Sequence, residues 1–279
     1  MSLAKKALNL LLPASSGGQN AAPTKARMRY MGHDTAGVLS MRRAVTRDVK
    51  VDIREAVRRS FALAFDFMQN SGWIAGAADQ IIVDTIGVEL KLNARPDLSR
   101  LGYNDKERSD WCRQVEDEWR RYVWNPGECD LAGKSTVAET LDGLMRYYLA
   151  AGEGFGILDF MNAPTRARYG LITGTKVSLV SPHRVPHKTS LVEGWDGGIY
   201  HDEIGRVQAY KFRRNESGVE REVDVPARFG NGLTKVLHVM DRGSTPNSPR
   251  AISPMTPCFK TIAQSDQLAD ATLTTALLQ

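Results

Sequence analysis

The sequence predicts an α+β protein, with a helical first part, a mainly antiparallel β second part and a long terminal helix. Three observations lead there. Between residues 51 and 151, apolar residues recur at steps of three and four. After Gly152 the apolar runs shorten to five to eight residues between polar turns, as strands do. From Ser253 a helical spacing returns and no stop signal follows it.

Residues 1–50 read as a flexible basic arm. Ser15 to Pro23 (SSGGQNAAP) is a low-hydrophobicity linker, and residues 25–50 are basic and poor in bulky apolar groups. The spacing of Ile53, Val57, Phe61, Ala64, Phe65 and Met68 predicts an amphipathic helix over 51–69, with Phe61, Phe65 and Met68 in the core. Asn70-Ser71-Gly72 breaks it. Asn70 to Asp97 then reads as a helix handing over to a strand. Ser71 is the expected N-cap and Gly87 the stop, and Val88, Leu90 and Leu92 alternate with polar residues up to Pro96. Ala75, Gly76 and Ala78 form an expected packing face, within the subunit or against a neighbour.

Asn104 or Asp105 caps the next helix, which runs to about Tyr122 with Trp111, Val115 and Trp119 on one stripe. Ser135 or Thr136, with Glu139, makes a capping box for a helix whose buried face is Val137, Leu141, Leu144, Met145, Tyr148 and Leu149, and which stops at Gly152. Strands follow at Phe155–Phe160, Lys176–Val180, Arg206–Phe212 and Leu233–Met240, with a turn and short hairpin at Trp195–Tyr200. Phe259, Ile262, Leu268, Leu273 and Leu277 pattern the last helix. The chain ends inside that pattern, so the natural protein is expected to continue.

Composition narrows the classes of function. The chain has 279 residues, 42% hydrophobic and 25% charged, which suits a folded domain or two. Three widely spaced cysteines argue against a disulfide framework. No apolar run reaches the length of a membrane span, and the patch after Lys5 and Lys6 is short for a secretory signal. The net charge of +5 is uneven. Lys25 to Arg59 holds ten Lys/Arg against four Asp/Glu, whereas Thr261 to Gln279 holds two Asp and no base. A basic contact surface from Arg42, Arg43, Arg47, Arg54, Arg58 and Arg59 would suit an acidic partner, and a solvated helix face would look the same.

Motifs for chemistry are weak. Gly133-Lys134-Ser135 resembles the end of a phosphate loop, but the preceding Gly127 is misplaced, no strand leads in, and Glu128 and Asp130 sit where phosphate belongs. Gly152, Gly154 and Gly156 follow a helix and precede a strand, the inverse of a dinucleotide fingerprint. His183 and His187 have a zinc-like spacing, but Pro182 and Pro186 oppose a helix there. No catalytic residue, metal site or cofactor is expected.

Several segments, taken in order, resemble the lambda-type family of tailed-phage portal proteins. They are Asn70–Pro96; Trp111, Val115, Glu116 and Trp119 with Cys129-Asp130; Arg146, Gly152 and Glu153; Val177–Val185 (VSLVSPHRV); Gly197-Gly198-Ile199 with Asp202, Gly205, Arg206 and Tyr210; Leu237-His238-Val239; and Ser253-Pro254. Met240 stands where the family has Phe, and Pro249, Pro254 and Pro257 are extra. The resemblance covers about residues 50–279. It implies a portal fold with a wing over 51–252 (helical over 51–151, mainly β over 152–240) and a first stem helix over 253–279, truncated before the clip. It also implies a structural, non-enzymatic role in a tailed phage or prophage. Copies of the chain would form a ring of twelve at the capsid vertex, where double-stranded DNA is packaged and ejected. The implied partners are the chain itself, the major capsid protein, the terminase large subunit, neck or head-completion proteins and the DNA in transit, with no membrane. The implied location is the virion, after assembly in the bacterial host cytoplasm. On that reading Gln264, Asp266, Gln267 and Asp270 face the channel, where a surface without bases lets DNA slide. The alternative is a stand-alone basic DNA-binding protein.

Overall fold

Long helices come first because their caps and apolar stripes agree. The computed structural model describes residues 48–87, 89–216, 218–242 and 247–278. Up to residue 47 the expected flexible arm over 1–50, with Arg42, Arg43 and Arg47, lies outside the described residues, and its last two residues, Val49 and Lys50, belong instead to the first helix. Helix α1 (Val49–Asn70) and helix α2 (Gly72–Ile86) meet at Ser71, as the Asn70-Ser71-Gly72 break predicts. Ser71 occupies the N-cap position, but its side chain makes no capping bond. The buried stripe of α1 is Ile53, Val57, Ser60 and Ala64. Phe65 is exposed, which corrects its expected place in the core. It sits one residue, about 100°, beyond Ala64 around the helix. Ala78 and Ile82 of α2 pack with Leu149, alongside Met68, Met145, Tyr148 and Met255.

The expected strand at Val88–Pro96 does not form: the described part, from Glu89, joins no sheet. Its backbone is instead satisfied by helix α3 (Asp105–Trp124), since the Trp119 indole donates to the Leu90 carbonyl at 3.1 Å and the Ala94 amide donates to Glu116 at 2.9 Å. An extended chain lying along a helix shows the same alternation as a strand. A reciprocal capping box of Asn104 and Glu107 starts α3. A short helix, α4 (Pro126–Cys129), follows. Helix α5 (Val137–Ala151) opens on the Thr136–Glu139 box and stops at Gly152, in the left-handed region at φ 78°.

Strand β1 (Glu153–Phe160) is the centre of an antiparallel sheet, flanked by β2 (Thr175–Val180) and β7 (Val236–Met240). Between β1 and β2 lies a short helix, α6 (Ala163–Tyr169), capped by Asn162 and not expected from the sequence. A second antiparallel sheet runs β3 (Trp195–Asp196), β4 (Ile199–His201), β5 (Val207–Glu216), β6 (Val219–Pro226). The two sheets share one core of Phe155, Val185, Ile199, Tyr210, Phe212, Ala227 and Val236. Phe155 meets Tyr210 and Phe212 edge-on at 6.0 Å. The chain ends with helix α7 (Phe259–Leu278), in which no residue is buried. Among the described residues no helix is long and apolar enough to cross a membrane.

Candidate functional site

The root of α7 is where the chain concentrates its buried polar chemistry. The stop at Gly152 turns α5 straight into β1 and brings the Ile252 backbone across the joint. A Cβ at Gly152 would stand 2.0 Å from the Ile252 carbonyl oxygen. Only glycine permits both that approach and the positive φ.

The next residue, Glu153, is completely buried. Its Oε1 accepts from Arg250 Nε at 2.7 Å, and its Oε2 accepts from His238 Nε2 at 3.1 Å and the Ala251 amide at 3.2 Å. The β1–β7 register sets His238 opposite Phe155, on which its ring stacks at 4.4 Å. Arg250 is 3% exposed, and besides Glu153 and His187 its partners are backbone. It donates to the carbonyls of Gly197 (2.8 Å), Pro182 (3.3 Å) and Val185 (3.4 Å). Only a guanidinium has enough fixed donors for this, so lysine is no substitute. Burial alone pushes the Glu153 carboxyl up, but Arg250 and then His238 outweigh it and hold the pKa down at about 2. His187 accepts from Arg250 at 3.4 Å, and burial followed by the Arg250 charge lowers its pKa to about 4.

Beyond Arg250 the chain is fastened again. Ser253 Oγ donates to the Leu149 carbonyl at 2.7 Å and accepts from the Met255 amide at 3.1 Å. Ser60 and Thr256 hydroxyls meet at 2.6 Å, and Phe67 packs on Phe259 at 5.7 Å. Residues 248–259 thus form a clasp that ties α1, α5, β1 and two loops together, and α7 leaves from it.

Sequence reasoning missed Arg250 and Ser253, whose setting between prolines gives no local sign of burial. It also missed Lys176, which is fully buried and donates to the carbonyls of Gly127 (2.7 Å) and Glu128 (2.8 Å). Glu128, in turn, accepts from the Ile172 and Thr173 amides.

The residues singled out from the sequence are scattered. Arg54 is committed to Asp196 at 2.7 Å, Arg58 lines a hollow beside the clasp, and Arg59 is exposed about 100° further round α1. Arg54 and Arg58, four residues apart, therefore share one face of α1, and Arg59 falls off it. Ala78 is buried and Ala75 half-buried, but Gly76 is exposed and a Cβ there would meet nothing within 4 Å. A packing role for Gly76 inside the chain is thereby corrected. On α7, Gln264, Gln267 and Asp270 are exposed and Asp266 is half-buried. At about 100° per residue, both aspartates fall on the same side as Phe259, Ile262, Leu273 and Leu277. In the phosphate-loop lookalike, Asp130 Oδ2 accepts from the amides of Lys134 (2.9 Å) and Ser135 (3.3 Å), which a phosphate would need. His183 bonds Ser181 at 2.7 Å. Among the described residues no three His, Cys, Asp or Glu gather as metal ligands do.

The family model for phage portal proteins of the lambda family matches residues 36–279. The chain belongs to that family. No curated protein matches the chain. Four of the portal-like segments meet at the clasp: Glu153 pairs with Arg250, Pro182, Val185 and Gly197 accept from Arg250, and His238 bonds Glu153. In this portal family member these contacts gather just before the last helix begins.

Proposed function

We propose that the chain is a subunit of a phage portal that assembles with copies of itself into a ring of twelve at the capsid vertex. DNA passes through this ring during packaging and ejection, and terminase and later neck proteins dock on it. The body over 51–252 acts as wing, and α7 as the first stem helix. The ring sits in the virion after assembly in the host cytoplasm. Its role is to hold and align, with no catalysis.

One observation carries this reading. Helix α7 is twenty residues long and has no buried residue, yet Leu268, Leu273, Leu277 and Leu278 are each more than 60% exposed. A helix of that length gains most of its stability from packing its apolar side chains, and these leucines point to more than one side of α7. Stem helices side by side around a ring supply such packing.

Electron microscopy of the purified chain tests this. Rings are expected. A monomer that binds duplex DNA tightly, with steep salt dependence, would instead make the chain a stand-alone DNA-binding protein.

A further inference from the structure

An open hollow of about 330 Å3 lies against the clasp. Helix α1 forms one wall with Val57, Arg58 and Phe61, and the loop after β2 and strand β5 supply Pro182, Val185 and Arg213. Two features distinguish it from a packing defect. First, Arg58 and Arg213 make no ion pair or hydrogen bond through their guanidiniums among the described residues. Glu222, opposite Arg213 on β6, lies instead within 4.0 Å of Lys188. Second, the floor of the hollow is the Glu153–Arg250 pair, whose charges offset each other. The walls are therefore left net positive. That field reaches His187, whose protonation Arg58 and Arg213 both oppose, after the larger effects of burial and Arg250.

We propose that this hollow is a docking notch for an acidic side chain of a partner protein, with Arg58 and Arg213 taking the carboxylate and Val57, Phe61 and Val185 taking the aliphatic group beside it. Size and lining favour this occupant over nucleic acid. The volume suits one or two side chains and lies at the small end of ligand pockets. A nucleic-acid strand needs a basic track that follows successive phosphates, whereas here two guanidiniums sit in a concave site with apolar walls. A carboxylate on a methylene stem matches both parts of that lining, and arginine forks pair well with carboxylates.

Binding to the single chain does not depend on ring formation, so its failure is separable from failure of the portal reading. Capped leucyl-glutamyl-leucine is titrated into the full chain by calorimetry. The isosteric glutamine peptide, inorganic phosphate and a duplex oligonucleotide are titrated alongside. The glutamate peptide is expected to bind saturably, and the glutamine peptide about tenfold more weakly. The double variant Arg58→Ala/Arg213→Ala, with an unchanged circular-dichroism spectrum, is expected to lose about tenfold for the glutamate peptide alone. No saturable binding, or equal binding of the two peptides by the wild-type chain, would overturn the proposal without recourse to a variant. Tighter binding of phosphate or duplex that is lost in the double variant would reassign the notch to phosphate.

Discussion

The clasp and the helix that leaves it are opposite solutions to the same chain. The clasp buries a glutamate, an arginine and two serines and satisfies them with partners drawn from across the body. Helix α7 has no fully buried residue, and beyond Phe259 on Phe67 at its root most of its side chains are exposed. Charge burial is tolerable in the first case because every partner is supplied. The contrast teaches that the body's stability is internal, whereas α7 leaves its leucines exposed, as the proposed packing between copies requires.

The largest expected effect breaks the clasp. Arg250→Ala leaves Glu153 charged, buried and short of its main partner, and should cost about 3–5 kcal/mol in urea unfolding. Glu153→Gln combined with Arg250→Met should cost clearly less than the sum of the two single changes, since the pair is removed together. Gly152→Ala comes next. The Ile252 carbonyl blocks the methyl group at 2.0 Å and φ is 78°, so a loss of at least about 2 kcal/mol is expected from thermal melts.

Acid gives a smaller, graded test. The folded pKa of His187 is about 4, below its ordinary 6.5, so the unfolded chain takes up a proton first. Its contribution is complete above pH 6.5 and is lost as pH falls towards 4, by about 1–2 kcal/mol once solvent screening is allowed for. Glu153, held at about 2 against an ordinary 4.5, adds a second loss as pH falls from 4.5 towards 2. His187→Gln should flatten the upper step of the melting-temperature profile and leave the lower one. The smallest effect lies on α7. Leu273→Ala should change the stability of the isolated chain by less than about 0.5 kcal/mol, yet reduce the fraction of rings counted by electron microscopy. An equal loss in both measurements would mean that α7 is already packed on its own body.

What was legible in the sequence was local. The caps, expected at Asn104 or Asp105 and at Ser135 or Thr136, fall on Asn104 and Thr136, and with the stop at Gly152 they lie within four residues of what they organise. The strands of the β half were visible where one face is buried, as at Phe155 and Val180. Strand β6 escaped because nearly every residue in it is exposed, so its charges read as loop. Glu89–Pro96 deceived for the converse reason: its alternation reflects contacts with α3 through Trp119 and Glu116. The clasp was the least legible part. Glu153 and Arg250 are 97 positions apart, and a buried arginine between Pro249 and Ala251 carries no local mark. The family resemblance named Glu153 and His238 without disclosing that they bond each other.

The clasp also has a mechanical consequence. Twenty helical residues extend about 30 Å at 1.5 Å each, and among the described residues α7 is fastened at its Phe259 end. A tilt of about 5° at its root would carry the far tip roughly 2.6 Å, half the 5.4 Å pitch of an α-helix. An angular tolerance too small to disturb the fold is thus enough to throw neighbouring helices out of register. The four carbonyl and carboxylate partners gathered on the Arg250 guanidinium act as a stiff pivot, and the leverage of the helix makes that stiffness count most at the end farthest from it.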